Sequence, residues 1–177
     1  MIAVIDYGLG NIRAFAELYR NLDVPMVIAR TAADLEIASK VILPGVGAFD
    51  HAMSRLEASG MRPFLDDCIL HRRMPVLGIC VGMQMLAKSS EEGCLPGLGW
   101  IDAEVKKLTP DAGHRSMYVP HMGWNTIYQV KACELLKGLG NQSKFYFLHS
   151  YYFQCHKRED IVATTEYGPE FASIVNS

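Results

Sequence analysis

The stretch Pro75-Val-Leu-Gly-Ile-Cys-Val-Gly-Met-Gln84 decides the fold of this 177-residue chain. A short apolar run ends at Cys80, which has a glycine two positions before it and another two positions after it. This is the spacing of a nucleophile elbow, a sharp strand-to-helix turn whose neighbouring positions must be small. A cysteine on such a turn projects from the sheet edge at a helix N-terminus, where the helix dipole favours the thiolate. The pattern therefore predicts a reactive thiol, although a buried and inert cysteine is the commoner case.

Apolar runs alternate with helical patterns on both sides of this turn. The predicted strands are 1–6, 24–29, 40–43 and 75–79, and the predicted helices are the one capped by Asn11, 34–39, 49–59, 63–72 and 81–87. This alternation predicts an α/β fold with a mostly parallel open sheet covered by helices on both faces. Further strands predicted at 98–108, 118–128 and 144–153 would form a partly antiparallel C-terminal extension. No linker interrupts the sequence, so residues 1–177 are expected to form a single domain.

The loop Pro44-Gly-Val-Gly47 follows the third predicted strand. It should therefore lie at the same carboxyl edge of the sheet as Cys80, where ligands bind in such folds. Glycines allow backbone N–H groups to turn toward an anion, although a plain turn has the same composition. Because the Val81 N–H is free at the start of its helix, both elements could stabilise an oxyanion.

Composition excludes several classes of function. A net charge of −2, with only short basic clusters at 71–73 and 156–158, is not that of a nucleic-acid-binding protein. Five cysteines without a C-x-x-C pair argue against a disulfide framework or a zinc site, and no metal or other cofactor is expected. No apolar run approaches the roughly 20 residues of a membrane span. The sequence therefore predicts a cytoplasmic protein without membrane contact.

Two of these segments resemble class I (triad-type) glutamine amidotransferases: Gly78-Ile-Cys-Val-Gly-Met-Gln84 resembles their nucleophile segment, and Pro44-Gly-Val-Gly-Ala-Phe49 their oxyanion strand. The resemblance runs through the whole chain. It narrows, through Val119-Pro-His-Met-Gly-Trp-Asn125 and Phe147-Leu-His-Ser-Tyr-Tyr152, to the glutaminase subunits of imidazole glycerol phosphate synthase and their close paralogues.

The resemblance implies a reaction and a set of site residues. Cys80 would attack the side-chain amide of glutamine, form a glutamyl thioester and release ammonia. Gly47 and Val81 would provide the oxyanion N–H groups. The residues that would bind glutamine are Gly45, Gln84, Glu92, His149, Ser150 and Tyr151. Glu92 would hold the substrate ammonium by a charge-assisted contact, although a glutamate in a loop is otherwise more often simply solvated.

The resemblance also implies a partner. Ammonia would pass, without meeting bulk water, into a (β/α)₈-barrel synthase subunit that forms a heterodimer with this chain. Asn11, Met122 and Trp124 match positions used at that contact. Tryptophan is enriched at interface hot spots, but a core aromatic is an equally good interpretation of Trp124 from sequence alone.

A cysteine nucleophile needs a base, which this family supplies from a His-Pro-Glu motif near its C-terminus. No H-x-E occurs in the 177 residues, and His149 is the least unsuitable substitute among the six histidines. The expectation is a chain cut short at its C-terminus, or otherwise a natural pseudo-glutaminase, with little activity as it stands.

Three functions stay open. The leading one is the glutaminase subunit of imidazole glycerol phosphate synthase, in histidine biosynthesis. A paralogue that feeds ammonia to surface-polysaccharide sugar synthesis is favoured by similarity at 11–15 and 96–102. A non-catalytic docking subunit is favoured by the missing base and disfavoured by the elbow at Cys80.

Overall fold

The computed structural model describes residues 1–110, 117–140 and 142–177. The strands are β1 (Ile2–Ile5), β2 (Met26–Ala29), β3 (Lys40–Gly45), β4 (Val76–Cys80), β5 (Ser89–Ser90), β6 (Ala103–Lys107), β7 (His121–Thr126), β8 (Tyr128–Gln129), β9 (Lys144–His149), β10 (Tyr151–Cys155), β11 (Ile161–Glu166) and β12 (Glu170–Val175). The α-helices are α1 (Ile12–Asn21), α2 (Phe49–Ala58), α3 (Arg62–Asp66) and α4 (Val81–Gln84). A π-helical turn, Asp67–His71, continues α3, and 3₁₀ turns occupy Ala33–Leu35, Glu134–Leu136 and Arg158–Asp160.

A four-stranded parallel sheet carries the nucleophile turn. Its strand order is β2-β1-β3-β4, so that β4 pairs with β3. Val41 to Gly45 are buried without interruption along β3. Because successive side chains point to opposite faces of a strand, both faces of the sheet are covered here.

A second sheet has the order β5-β6-β10-β12-β11-β8 and is antiparallel except for the β5–β6 pair. One buried cluster joins the two sheets, since it contains Ile5 and Leu43 from the first and Val105 and Phe153 from the second. The predicted α/β class, with its mostly parallel sheet and partly antiparallel extension, is confirmed.

Several predicted elements differ from the structure. The helix predicted at 34–39 is a single 3₁₀ turn, Ala33–Leu35. The strand predicted from residue 98 begins only at Ala103. The backbone before Ala103 forms hydrogen bonds to the residues that follow α4: Leu98 N donates to Met85 O at 2.8 Å, and Ile101 N donates to Leu86 O at 3.0 Å. This segment therefore satisfies carbonyls at the end of the nucleophile helix, which stops at Gln84 rather than at residue 87.

The strand predicted at 144–153 is divided at Ser150 into β9 and β10. The strand β9 pairs with β7 in a two-stranded antiparallel ribbon, whereas β10 belongs to the six-stranded sheet. The strands β11 and β12 had no counterpart among the predicted elements. In the described ranges, no helix is both long enough and apolar enough to cross a membrane.

Candidate active site

Cys80 lies at the last position of β4, immediately before α4, and its side chain is exposed. Its backbone angles are φ 57° and ψ −122°. A non-glycine residue with positive φ outside the left-handed helical region is strained, and such strain is tolerated where the surrounding structure enforces it. The strand-to-helix turn predicted from the glycine spacing is therefore present, and it presents the thiol to solvent.

The glycines around Cys80 are required by close approach of the backbone. A Cβ on Gly82 would lie 1.9 Å from the Leu43 carbonyl oxygen, and one on Gly78 would lie 2.7 Å from Met83 Cα. No side chain fits at these distances, and the obstructing atoms belong to the backbone. The elbow is thus pressed against β3 on one side and folded onto its own helix on the other.

The loop 44–47 lies directly beside the nucleophile. Gly45 is paired with Cys80 in the β3–β4 register, and a Cβ on Gly45 would lie 2.3 Å from the Gly82 nitrogen. Gly47 has φ +83° and is exposed, with no atom within 4 Å of its would-be Cβ. The N–H of Val81 is among the first of α4, which have no partner within the helix.

Tyr7 supports this loop, and the sequence did not single it out. Its hydroxyl donates to the Pro44 carbonyl oxygen at 2.7 Å, and its side chain is buried. Burial, with a smaller contribution from the charge of Cys80, raises the pKa of Tyr7 well above its usual value. The hydroxyl therefore stays protonated and keeps donating. The only signal of this role in the sequence was the position of a tyrosine in the turn directly after the first strand.

Gln84 links the nucleophile helix to the segment 149–151. It lies four residues after Cys80, is only 8 % exposed, and donates through Nε2 to the Tyr151 carbonyl oxygen at 3.2 Å. Ser150 lies where the chain passes from β9 to β10, and its carbonyl accepts from Leu108 N at 2.8 Å. The structure thus brings the predicted glutamine-binding segment 149–151 into contact with the helix that follows the predicted nucleophile.

Glu92 connects the same region to α2. Its Oε2 accepts a hydrogen bond from Phe49 N at 2.8 Å, at the start of the helix that follows the loop 44–47. Asp50, which sequence reasoning missed, accepts from Cys94 N at 2.9 Å and Leu95 N at 3.0 Å. Carboxylates are favoured at a helix N-terminus, so both side chains stabilise α2 and fix the loop that carries Glu92.

No histidine of the described ranges is hydrogen-bonded to the Cys80 thiol. His51, His71 and His156 are exposed, and His114 lies outside the described residues. His149 has both ring nitrogens engaged, Nδ1 with the Tyr151 carbonyl at 2.9 Å and Nε2 with His121 at 2.9 Å. Its imidazole could act as a base only after one of these contacts breaks. Nor do the described residues include a cluster suited to holding a metal ion.

Neither of two cavities formed by the described residues is lined by Cys80. One of about 290 Å³ lies at the carboxyl end of β1 and is lined by Tyr7, Gly8, Arg30 and Arg55, among others. Another of about 470 Å³ lies between α1 and β2. Cys80 instead faces solvent at the open edge of the sheet.

The residues predicted to contact a partner are exposed. Trp124 is 72 % exposed and Met122 59 % exposed, on one face of the β7–β9 ribbon. The same face carries Tyr146 and Leu148, and the Trp124 and Tyr146 rings meet edge to face at 5.8 Å between centroids. The interpretation of Trp124 as a core aromatic is therefore wrong. Asn11 is exposed as well, and its side chain accepts from Ala14 N at the start of α1.

With this geometry in place, comparison with known families decides the chain's membership. The model of the family described as glutamine amidotransferase class-I matches residues 3–177. This chain belongs to that family. The turn at Cys80 and the loop 44–47 are therefore features of a class I glutamine amidotransferase.

Curated relatives agree with this assignment, and a solved structure shares the fold. A relative from Bdellovibrio bacteriovorus, named imidazole glycerol phosphate synthase subunit HisH, is 53 % identical over 175 residues, which are 99 % of this chain and 86 % of the relative. A Leptospira borgpetersenii protein of the same name is 46 % identical over 176 residues, again 99 % and 86 % of the two chains. A solved glutamine amidotransferase shares the fold, with a TM-score of 0.68 and 19 % identity over 94 % of this chain and 85 % of that one.

Proposed function

We propose that this chain is the glutamine-hydrolysing subunit of imidazole glycerol phosphate synthase, acting in histidine biosynthesis in the cytoplasm. The observation that carries the proposal is the exposed, strained Cys80 beside the loop 44–47. It occurs in a chain whose relatives, matched over nearly its full length, bear the name of that subunit. A single class I amidotransferase domain over residues 1–177 is supported by the core cluster that joins both sheets.

The thiolate of Cys80 would attack the carbonyl carbon of the glutamine side chain. The resulting oxyanion would accept hydrogen bonds from the N–H groups of Val81 and Gly47. Collapse of this intermediate breaks the C–N bond, and the nitrogen takes up a proton and leaves as ammonia. A water molecule then cleaves the glutamyl thioester, which releases glutamate and restores the thiol.

Glutamine would lie between the loop 44–47 and the segment 149–151. Gly45 offers a backbone surface next to Cys80, because a side chain there would strike the nucleophile helix. Gln84 holds the Tyr151 carbonyl in place, so that the backbone of 149–151 can bind the amino-acid end of the substrate. Glu92, one of whose oxygens is engaged by Phe49 N, would offer the other to the substrate ammonium.

The proton for the leaving ammonia needs an acid, and no histidine of the described ranges is placed to supply it at Cys80. We therefore propose that the polypeptide Met1–Ser177, by itself, binds glutamine but turns it over several powers of ten more slowly than an intact triad enzyme would. Ammonia release from glutamine by the purified chain tests this. Turnover comparable to that of an intact relative, abolished in Cys80→Ala, would show that a base acts here which the described contacts do not reveal.

Glutamine binding itself can be tested without turnover. Cys80 should react with a diazo-ketone analogue of glutamine, and glutamine should slow that reaction. Peptide-resolved mass spectrometry would identify the labelled cysteine. An unlabelled Cys80 would favour the second candidate, a non-catalytic docking subunit, which has no need of a reactive thiol. That candidate is supported by the lack of a hydrogen-bonded base at Cys80 among the residues that the structure describes.

The partner would be the (β/α)₈-barrel synthase subunit, bound as a heterodimer to the face that carries Met122 and Trp124. Exposed aromatic and methionine side chains on one face of a ribbon are typical of interface anchors. Asn11 and the carboxyl ends of β1, β3 and β4 would face the same partner, so that ammonia leaves Cys80 toward it. Copurification of the chain with that subunit, weakened in Trp124→Ala, would support this arrangement.

A further inference from the structure

The inner face of the β7–β9 ribbon holds a buried histidine that the proposed chemistry does not use. His121 is 3 % exposed and lies between two aromatic rings. Its ring stacks on Tyr167 with centroids 3.9 Å apart and on Phe147 at 4.8 Å, each at an interplanar angle of 17°. Aromatic packing alone would be served equally well by phenylalanine, so the polar atoms of His121 require their own explanation.

Those polar atoms belong to a network of hydrogen bonds, in which the donor and the acceptor of each bond follow from the Tyr151 carbonyl at one end. The Tyr151 carbonyl can only accept, so His149 donates to it through Nδ1, at 2.9 Å. In a neutral ring the other nitrogen, Nε2, must then accept. Its partner at 2.9 Å is Nδ1 of His121, which is therefore the donor. The Nε2 atom of His121 in turn accepts from Asn125 Nδ2, at 3.3 Å.

Asn125 is held in the orientation that this hydrogen-bond network requires. Its Oδ1 accepts from Thr126 N at 2.8 Å, and its Nδ2 also donates to the Glu166 carbonyl at 2.9 Å. The amide is thus anchored by two backbone groups, one on its own strand and one on β11. If the amide nitrogen and oxygen changed places, two donors would meet at Thr126 N and two acceptors at the Glu166 carbonyl.

The other end of the hydrogen-bond network lies in the proposed glutamine pocket. The Tyr151 carbonyl accepts from His149 and also from Gln84 Nε2, at 3.2 Å, and Gln84 follows Cys80 by four residues. One carbonyl oxygen therefore receives two donors, from the ribbon and from the nucleophile helix. Its position depends on both.

We propose that His121 is a positioning residue for the glutamine pocket: by donating to His149 it fixes the Tyr151 carbonyl against Gln84 and so sets the spacing between the segment 149–151 and Cys80. This inference rests on the proposed function, since it assigns a role in binding glutamine. It also joins the strand that carries Met122 and Trp124 to the substrate pocket through three side chains.

Protection of Cys80 by glutamine provides the test. The purified chain is alkylated with iodoacetamide at increasing glutamine concentrations, and the Cys80 peptide is quantified by mass spectrometry. The concentration that halves the alkylation rate, normalised to each variant's own rate without glutamine, reports pocket integrity. Melting temperature is measured in parallel for every variant.

Two variants separate hydrogen bonding from packing. His121→Phe keeps the stacked ring and loses the donor, whereas His121→Asn loses the ring and places an amide where Nδ1 lies. We expect His121→Phe to raise the half-protecting glutamine concentration about tenfold or more, the effect of leaving one buried acceptor unpaired. His121→Asn should protect better than His121→Phe but melt at a lower temperature. Lys144→Ala, at an exposed end of the same ribbon, is the control and should match the unmodified chain.

The outcomes distinguish the two proposals. If glutamine protects Cys80 in the unmodified chain and equally in His121→Phe, the positioning role is excluded while the proposed function survives. If glutamine protection and melting temperature rank the two variants in the same order, His121 serves packing only. If glutamine gives no protection even in the unmodified chain, the proposed function fails and the positioning role fails with it.

Discussion

The carboxyl edge of the parallel sheet and the β7–β9 ribbon solve the same problem, holding functional groups in place, by different means. At the sheet edge the constraint is backbone against backbone, with glycines at 45, 78 and 82 where no Cβ fits. In the ribbon the constraint is side chain against side chain, with His121 bonded to His149 and stacked on Tyr167. The first kind of constraint leaves a short local pattern in the sequence. The second joins residues about 28 and 46 positions apart and leaves none.

Gly82→Ala tests the backbone constraint at its tightest point. The added methyl would lie 1.9 Å from the Leu43 carbonyl oxygen, and neither that strand nor the helix can yield without disturbing the core. We expect a loss of about 3 kcal/mol or more in the free energy of unfolding, at the upper end of the cost of overpacking. Urea denaturation measures it. Gly140→Ala, with open space around its Cβ, is the matched control and should change stability by less than about 1 kcal/mol.

Acid titration tests the side-chain constraint. Burial, and then the neighbouring His149, lowers the pKa of His121 to about 4. The unfolded chain, with an ordinary histidine pKa near 6.5, therefore binds one more proton than the folded chain between these two values. The contribution of His121 to the free energy of unfolding is therefore fully present above pH 6.5, and about 3 kcal/mol of it is lost as the pH falls toward 4.

The comparison with His121→Phe isolates that contribution. The titratable groups facing the ring are His149 on β9, whose pKa burial also lowers, and Tyr167 after β11. Lys88 and His156 lower the pKa of Asp102 to about 2, so Asp102 loses its contribution only in more acidic solution. Urea midpoints between pH 4 and 7 should therefore slope less steeply in His121→Phe. Equal slopes in the two proteins would show that His121 is not held neutral.

These two regions also show how far the sequence could be read. Cys80, its flanking glycines and the loop 44–47 were predictable, because a strained turn next to a strand permits few residue types. The predicted parallel sheet followed from uninterrupted apolar runs such as that of β3. The division of 144–153 at Ser150 was not predictable, since the residues on both sides have the same strand-forming character and only their partners differ.

The roles of individual polar residues were harder still to predict. Glu92 was expected to face the substrate, yet one of its oxygens binds Phe49 N, a contact across 43 positions. Tyr7 and Asp50 were overlooked because their partners, Pro44 and the backbone of Cys94 and Leu95, become neighbours only in the folded chain. Spacing reveals a constraint when the residue types that it requires lie together in one short segment, as they do around Cys80, whereas the partners of a tertiary hydrogen bond lie far apart in the sequence.

Replacing Cys80 measures the strain that the elbow stores. The residue has φ 57° and ψ −122°, a conformation open to glycine and unfavourable for any residue with a Cβ. Cys80→Gly should therefore be more stable than Cys80→Ala by about 1 kcal/mol, the lower end of the usual cost of such a conformation. Both variants lack the thiol, so the pair isolates backbone strain from thiol chemistry. Equal urea midpoints would mean that the turn is relaxed and that its geometry has another cause.

The smallest expected effect is that of Trp124→Ala on the isolated chain, and it separates the two faces of the ribbon. Trp124 is 72 % exposed, so its removal should change the free energy of unfolding by less than about 0.5 kcal/mol. Phe147, on the inner face, stacks on His121 and meets Phe171 edge to face at 6.0 Å, so Phe147→Ala should cost about 2 kcal/mol or more.

In binding to the proposed synthase subunit the order should reverse, with Trp124→Ala weakening the complex at least about tenfold, because an exposed aromatic anchor contributes only once its partner covers it. Calorimetry of the chain alone and titration with the partner give both numbers. A large loss of stability in Trp124→Ala would mean that this face is already packed in the free protein and is not a docking surface.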